Sequence, residues 1–158
     1  MRQTERPQGS RLLAPARRVN EMDLMTQRFP APFPPPFADS WGDDEFGLWA
    51  EFTLRSGHGS ATQRLRWIEP GSFRMGSPES EPERYSDEGP QHWVTLTRGF
   101  WLADTACPQA LWQAVMGTNP SRFKGDPQRP VERVSWHEVQ GFLRALEKLL
   151  PGCEAALP

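Results

Sequence analysis

The side chains able to do chemistry are few and scattered. Cys107 and Cys153 are the two thiols. A thiolate can act as a nucleophile, hold a soft metal or carry a redox step. These two stand far apart, in no CxxC and with no histidine at metal-ligand spacing. Neither a zinc site nor a disulfide framework follows from them, and they read as small buried thiols. His92 and His137 are the candidate acid–base groups. His137 falls in the first turn of an expected helix, where the dipole disfavours an imidazolium. His92 follows Gly89-Pro90 at a strand start. Neither has a carboxylate or nucleophile partner at a recognisable spacing, so structural roles are expected for both.

Oxygen and phosphate chemistry fare no better. Glu79, Glu81, Glu83, Asp87 and Glu88 offer the hard oxygens that calcium prefers, but they depart from the D-x-[DN]-x-[DN]-G spacing and two prolines interrupt them. A solvated loop between strands is expected. Met75 to Pro78, "MGSP", has one glycine and no helix signal after it, unlike a phosphate-cradling loop. Arg64 and Arg66 beside Trp67 could stack on nucleic acid. In a chain of net charge −2, however, two arginines favour cross-strand pairing with acidic side chains. No nucleophile, base and orienting group form a set. The residues by themselves assign no catalytic, cofactor-binding or metal-ligating position.

The elements that would have to position any site are better marked. "TQRLRWIEPG" alternates, with Leu65 and Trp67 on one face and Arg64 and Arg66 on the other, and stops at Pro70-Gly71. "SFRMG" is expected to return as a hairpin partner. "HWVTLT" and "GFWLAD", broken at Arg98-Gly99, continue a meander of short strands rich in Phe, Trp and Val. Upstream, Phe46 to Leu54 carries a further strand, and "RSGHGSA" is a turn-rich break.

Two helices follow. "PQALWQAVMG" has Pro108 for its first turn and Gly117 for a left-handed C-cap. Its apolar face is Ala110, Leu111, Ala114 and Val115. In the second, Ser135 and Glu138 form a capping box. Val139, Phe142, Leu143, Leu146 and Leu150 make the stripe, and Pro151-Gly152 ends it. The fold class is α+β, short antiparallel strands plus two helices.

Composition agrees with a loop-rich chain. Of 158 residues, seven are Trp, nine Phe and one Tyr, with 17 Pro and 13 Gly. Aromatics of that bulk build a core without long helices. The near-neutral charge gives no electrostatic case for nucleic acid or an anionic membrane, and no apolar run approaches the ~20 residues of a membrane span. The N-terminus is basic without a continuous apolar core, so no secretory signal is expected. The expected setting is a bacterial cytoplasm. Residues 1–37 divide into a disordered tail, 1–28, and a proline-rich linker, "FPAPFPPPF", expected to lie on the domain's own surface. Residues 38–60 form a lead-in, and 62–158 the main domain.

From Thr62 onward, several motifs in order resemble the formylglycine-generating enzyme (sulfatase-modifying factor) family. They are "PGSFRMGS", "DEGPQHWVTL", "GFWLADT" before "QALWQAVMG", then "NPSRFKG" and "RPVERVSW". The resemblance implies a C-type-lectin-like fold, present here as an N-terminal part. The family's next phrase, of the type "LPTEAEWEYA", would begin at Leu157-Pro158. It further implies that the copper-binding cysteine pair, the calcium sites and much of the substrate groove belong to the family's later half. Copper and calcium are then expected only in a complete member. Cys107 and Pro108 stand where the family usually has Val and Thr, so no catalytic residue carries over. Full-length members oxidise a substrate cysteine to formylglycine, and this chain is expected to be inactive alone. The alternative is a non-catalytic lectin-fold binding module for a protein or peptide, like the display scaffolds of retroelement-diversified proteins. The apolar stripe of the second helix is expected to drive self-association. The long stretch Asn119 to Ser135 is expected to be an ordered connector.

Overall fold

A computed structural model describes residues 29–157. The disorder expected for residues 1–28 falls outside that span. Six strands come first: β1 Ser40–Asp44, β2 Gly47–Ser56, β3 Gly59–Ile68, β4 Gly71–Met75, β5 His92–Leu96 and β6 Phe100–Ala103. Helices α1 Gln109–Met116 and α2 Trp136–Leu149 follow, so the fold is α+β as expected.

The strand pairing departs from a meander. One antiparallel sheet has the order β1-β2-β3-β6, and β4 pairs with β5 in a separate ribbon. β4 was expected against β3, but both edges of β3 are already taken, by β2 from Trp49↔Arg66 to Ser56↔Gly59 and by β6 from Leu65↔Ala103 to Ile68↔Phe100. β4 instead runs from Gly71↔Leu96 to Met75↔His92 against β5. "RSGHGSA" proves to be no break either. Its outer residues extend both long strands, and only Gly57-His58 turn, with the His58 N–H donating to Ser56 Oγ at 3.2 Å. β1, which carries no apolar alternation, is held by the free edge of β2, its pairing prolonged by Asp39 N–H to the Glu51 carbonyl (2.8 Å).

β3 alternates as its sequence requires. Leu65 and Trp67 face one side with Phe52 and Ala50 of β2, and Arg64 and Arg66 face the other. Gly99 permits the approach of β6, since a Cβ there would lie 2.2 Å from the Trp67 ring.

The helices cover part of the apolar face. α1 ends in Gly117 at φ +73°, its N–H donating to the Gln113 carbonyl at 2.9 Å. Pro108 stands one residue earlier than expected, as the N-cap in extended conformation. The buried face also differs: Gln109, Leu111 and Trp112 are buried, while Ala110, Ala114 and Val115 are half-buried. The helix lies between the sheet and α2, so two sides of it are covered instead of one. α2 begins with the expected box, Glu138 N–H donating to Ser135 Oγ (3.3 Å) and Ser135 N–H to Glu138 Oε2 (2.7 Å). Its Phe142 and Leu146, with Leu150 just beyond its end, join Phe52, Ala61, Leu111 and Trp112 in the core. Each such apolar side chain contributes roughly 1.5–3 kcal/mol on burial.

The proline-rich segment packs on the body. Pro30 and Pro35 are buried, and Phe37 meets Phe52 and Trp101 edge-on with centroids 6.3 and 6.2 Å away.

Candidate functional site

The sheet face beyond the helices is left as the wall of a cleft of about 1200 Å³. Leu65, Trp67 and Trp101 form its floor, α2 supplies Val139 and Leu143, and Pro32 and Phe37 close the side opposite. The floor exists because β3 and β6 alternate in register, Trp67 opposite Trp101 with ring centroids 5.4 Å apart. The helical stripe expected from the sequence is divided: Phe142 and Leu146 are in the core, and Val139 and Leu143 remain half-buried at the cleft.

One polar group in the lining stands out. Gln63 is 4% exposed. Its Nε2 donates to the Arg64 carbonyl (2.9 Å) and to Thr105 Oγ1 (3.2 Å), while its buried Oε1 has no hydrogen-bond partner. Turning the amide over would set oxygen against the Arg64 carbonyl, so the orientation is fixed by that bond. An unsatisfied buried acceptor costs about 1–3 kcal/mol. Sequence reasoning missed it, because Gln63 is merely one polar residue in an alternating strand.

Both cysteines also line the cleft. They are free and partly buried. Burial pushes the Cys107 thiol up to about 11 and raises that of Cys153, with the neighbouring Glu147 and Glu154 acting in the same direction. Among the described residues, no group of three His, Cys, Asp or Glu residues could hold a metal ion.

On the opposite sheet face, Arg64 and Arg66 are consumed by neighbours. Arg64 meets the Glu51 carboxylate at 2.7 Å and lies over the Trp49 ring, 4.3 Å from its centroid. Arg66 meets Asp44 at 2.6 Å and holds that carboxyl below its ordinary value. The expected cross-strand pairing is what they do. His92 Nδ1 lies 2.9 Å from the Pro90 carbonyl, and His137 stands edge-on to Trp136.

The acidic stretch borders a second hollow of about 540 Å³ with Gly76, Ser77 and His92. Glu88 there accepts the Tyr85 N–H (3.0 Å), which with Ser77 holds its carboxyl below the ordinary value.

The connector between the helices is ordered by side chains that the sequence did not single out. Gln109, 2% exposed, donates to the carbonyls of Phe123 (3.0 Å) and Pro130 (3.3 Å) and accepts from Asn119 Nδ2 (2.9 Å). The Glu132 carboxylate accepts the N–H groups of Arg122 and Phe123. The one legible signal was Asn119-Pro120-Ser121, whose Asn119 Oδ1 takes the Ser121 N–H (3.0 Å). Arg122 and Lys124 are exposed.

Residues 53–155 match the model of a family described as the sulfatase-modifying factor enzyme 1-like domain. The chaperone protein LppX of Paenibacillus barcinonensis is 36% identical over 90 residues, which cover 57% of this chain and 28% of LppX. Among solved structures, Treponema denticola variable protein 1 matches with 30% identity and a TM-score of 0.51, over 62% of this chain and 34% of that one. PvdO from Pseudomonas aeruginosa matches with 21% identity and a TM-score of 0.50, over 72% and 45%. The second is a likeness of fold. The chain thus spans 28% to 45% of the length of these relatives, and its architecture is the α+β, C-type-lectin-like one that its motifs implied.

Proposed function

The chain belongs to the sulfatase-modifying factor enzyme 1-like family, and from that premise we propose that it is a non-oxidising scaffold of a formylglycine-generating-enzyme-type domain, inactive alone in cysteine oxidation. The placement of the two cysteines carries this reading: both are free and partly buried, and neither Cys107 nor Cys153 matches a catalytic position of the family. A bacterial cytoplasm suits two free thiols, and no helix of the described residues is long and apolar enough to cross a membrane. The test is to incubate the chain with a cysteine-bearing peptide, copper(I) and oxygen, and to follow the peptide by mass spectrometry. Unchanged peptide is expected. Formylglycine production that disappears in Cys107→Ala would overturn the proposal.

A second reading, a binding module for a protein or peptide, is favoured by the cleft. A volume of about 1200 Å³ exceeds the ~300–1,000 Å³ typical of small-molecule sites, and Leu65, Trp67, Trp101, Val139 and Leu143 give it an apolar lining. The apolar dye ANS should fluoresce on the chain and lose that signal in Leu65→Glu. Equal fluorescence from the variant would exclude the cleft as the apolar surface concerned.

A further inference from the structure

The connector between the two helices carries four cations that its own carboxylates leave without partners. Hydrogen bonds draw its two limbs, 121–124 and 129–133, together. Glu132 N–H donates to Ser121 Oγ (3.2 Å), the Glu132 carboxylate accepts the Arg122 and Phe123 N–H groups, and Gln109 Nε2 joins the Phe123 and Pro130 carbonyls. Arg122, Lys124, Arg129 and Arg133 thus rise from neighbouring backbone, and all four are exposed. The connector's two carboxylates do not neutralise them. Glu132 is spent on backbone N–H groups, and Asp126 accepts the Gln128 N–H at 2.9 Å. Among the described residues none of the four cations forms an ion pair, whereas Arg64 and Arg66 on the sheet both do. Phe123 lies among them, 61% exposed, with the Arg122 guanidinium 5.6 Å from its ring centroid. Arg133 is held in the left-handed region at φ +62°, a backbone state that glycine adopts at less cost.

We propose that this connector is a docking surface for a short acidic segment of a partner protein, whose carboxylates engage Arg122, Lys124, Arg129 and Arg133 while an apolar side chain rests on Phe123. Three of the four cations are arginines, whose planar fork matches a carboxylate bidentately, and arginine clusters recur where acidic motifs are recognised. Gln109, Asn119 and Glu132 order the backbone beneath, so little ordering remains to be done on binding. The conformation of Arg133 agrees. Folding alone would be served better by glycine, and an arginine in a strained state is the kind of outlier that functional surfaces carry. Charge selects a peptide over a nucleic acid. Four cations suit a short run of carboxylates, whereas the chain as a whole has a net charge of −2, which opposes the long-range attraction of a polyanion. None of the four cations lines the cleft, so the surface stands or falls independently of the reading given to the cleft.

Fluorescence anisotropy of a labelled Glu-Asp-Phe-Glu-Glu-Asp peptide, titrated with the whole chain at low and at physiological salt, tests this. Saturable binding that weakens as salt rises is expected. Arg122→Gln combined with Lys124→Gln should weaken it roughly tenfold. Arg133→Gly should weaken it about threefold while raising the urea midpoint of the chain, a split that a purely structural residue would not show. Arg55→Gln, at an exposed arginine of β2, should bind as the parent does. Absence of saturable binding at low salt overturns the proposal, as does unchanged affinity in the double variant or an equal loss in Arg55→Gln. A peptide released by Leu65→Glu and retained by the double variant would place the contact in the cleft and also overturn it. An oligothymidylate bound more tightly than the peptide would overturn the choice of partner. Should the double variant fail to fold, unchanged affinity of Arg133→Gly is the overturning result.

Discussion

Trp112 on α1 lies flat against Phe142 on α2, their ring centroids 5.0 Å apart and their planes within 2° of parallel. Both are buried, at 3% and 5% exposure, and the stack joins the two helices over the sheet. Trp112→Ala should cost about 3–5 kcal/mol through lost burial and the cavity left behind. Urea unfolding followed by far-ultraviolet circular dichroism measures it. A loss below about 1 kcal/mol would mean that the two helices hold together without this contact.

The amide of Gln109 serves three partners across the connector. Gln109→Leu keeps much of the volume and leaves the carbonyls of Phe123 and Pro130 without that donor. The expected cost is on the order of 1–3 kcal/mol. Trypsin cleavage after Arg122 or Lys124 should quicken in the variant, because opening of the connector becomes easier. Identical cleavage rates would show that Glu132 suffices to order the loop.

Acid should weaken the fold through its capped carboxylates. The Ser135 hydroxyl and N–H hold the Glu138 carboxyl below its ordinary value of 4.5. Such a group favours the folded chain above its unfolded value, and that contribution is lost as pH falls through the lower folded value. Asp44, held by Arg66, and Glu88, held by the Tyr85 N–H, act with the same sign. Urea midpoints should therefore be flat near neutrality and fall on the acid side of 4.5. Glu138→Gln should flatten that fall, and Ser135→Ala should cost about 1 kcal/mol at neutral pH. An acid limb of unchanged slope in Glu138→Gln would remove the box from the account.

The Cys107 thiol, pushed up from 9.0 to about 11 by burial, should carry roughly a hundredfold less thiolate at pH 8 than an unperturbed thiol. Iodoacetamide should label Cys107 far more slowly than the same residue in urea, with Cys153 between the two because its burial is smaller. Mass spectrometry of tryptic peptides resolves the two sites. Rapid native labelling at Cys107 would show that the cleft opens to solvent at that point.

Several features were legible in the sequence because they depend on neighbours along the chain. The alternation of Leu65 and Trp67 with Arg64 and Arg66, the Gly117 stop and the Ser135–Glu138 box rest on local geometry, and all are found. So does the ordered motif series from "PGSFRMGS" to "RPVERVSW" that identified the family. The tertiary structure decided what depends on which surfaces meet. β4 lost β3 as a partner because β6, more than thirty residues further along the chain than the start of β3, occupies that edge. Trp112 and Gln109 are buried because α1 is covered on two sides. The unpaired Gln63 Oε1 arises from contacts between distant segments, and periodicity within any one segment carries no trace of it. The sequence determined the elements and their family by short-range rules, whereas the cleft and the buried orphan acceptor beside it come from long-range packing that only the assembled chain defines.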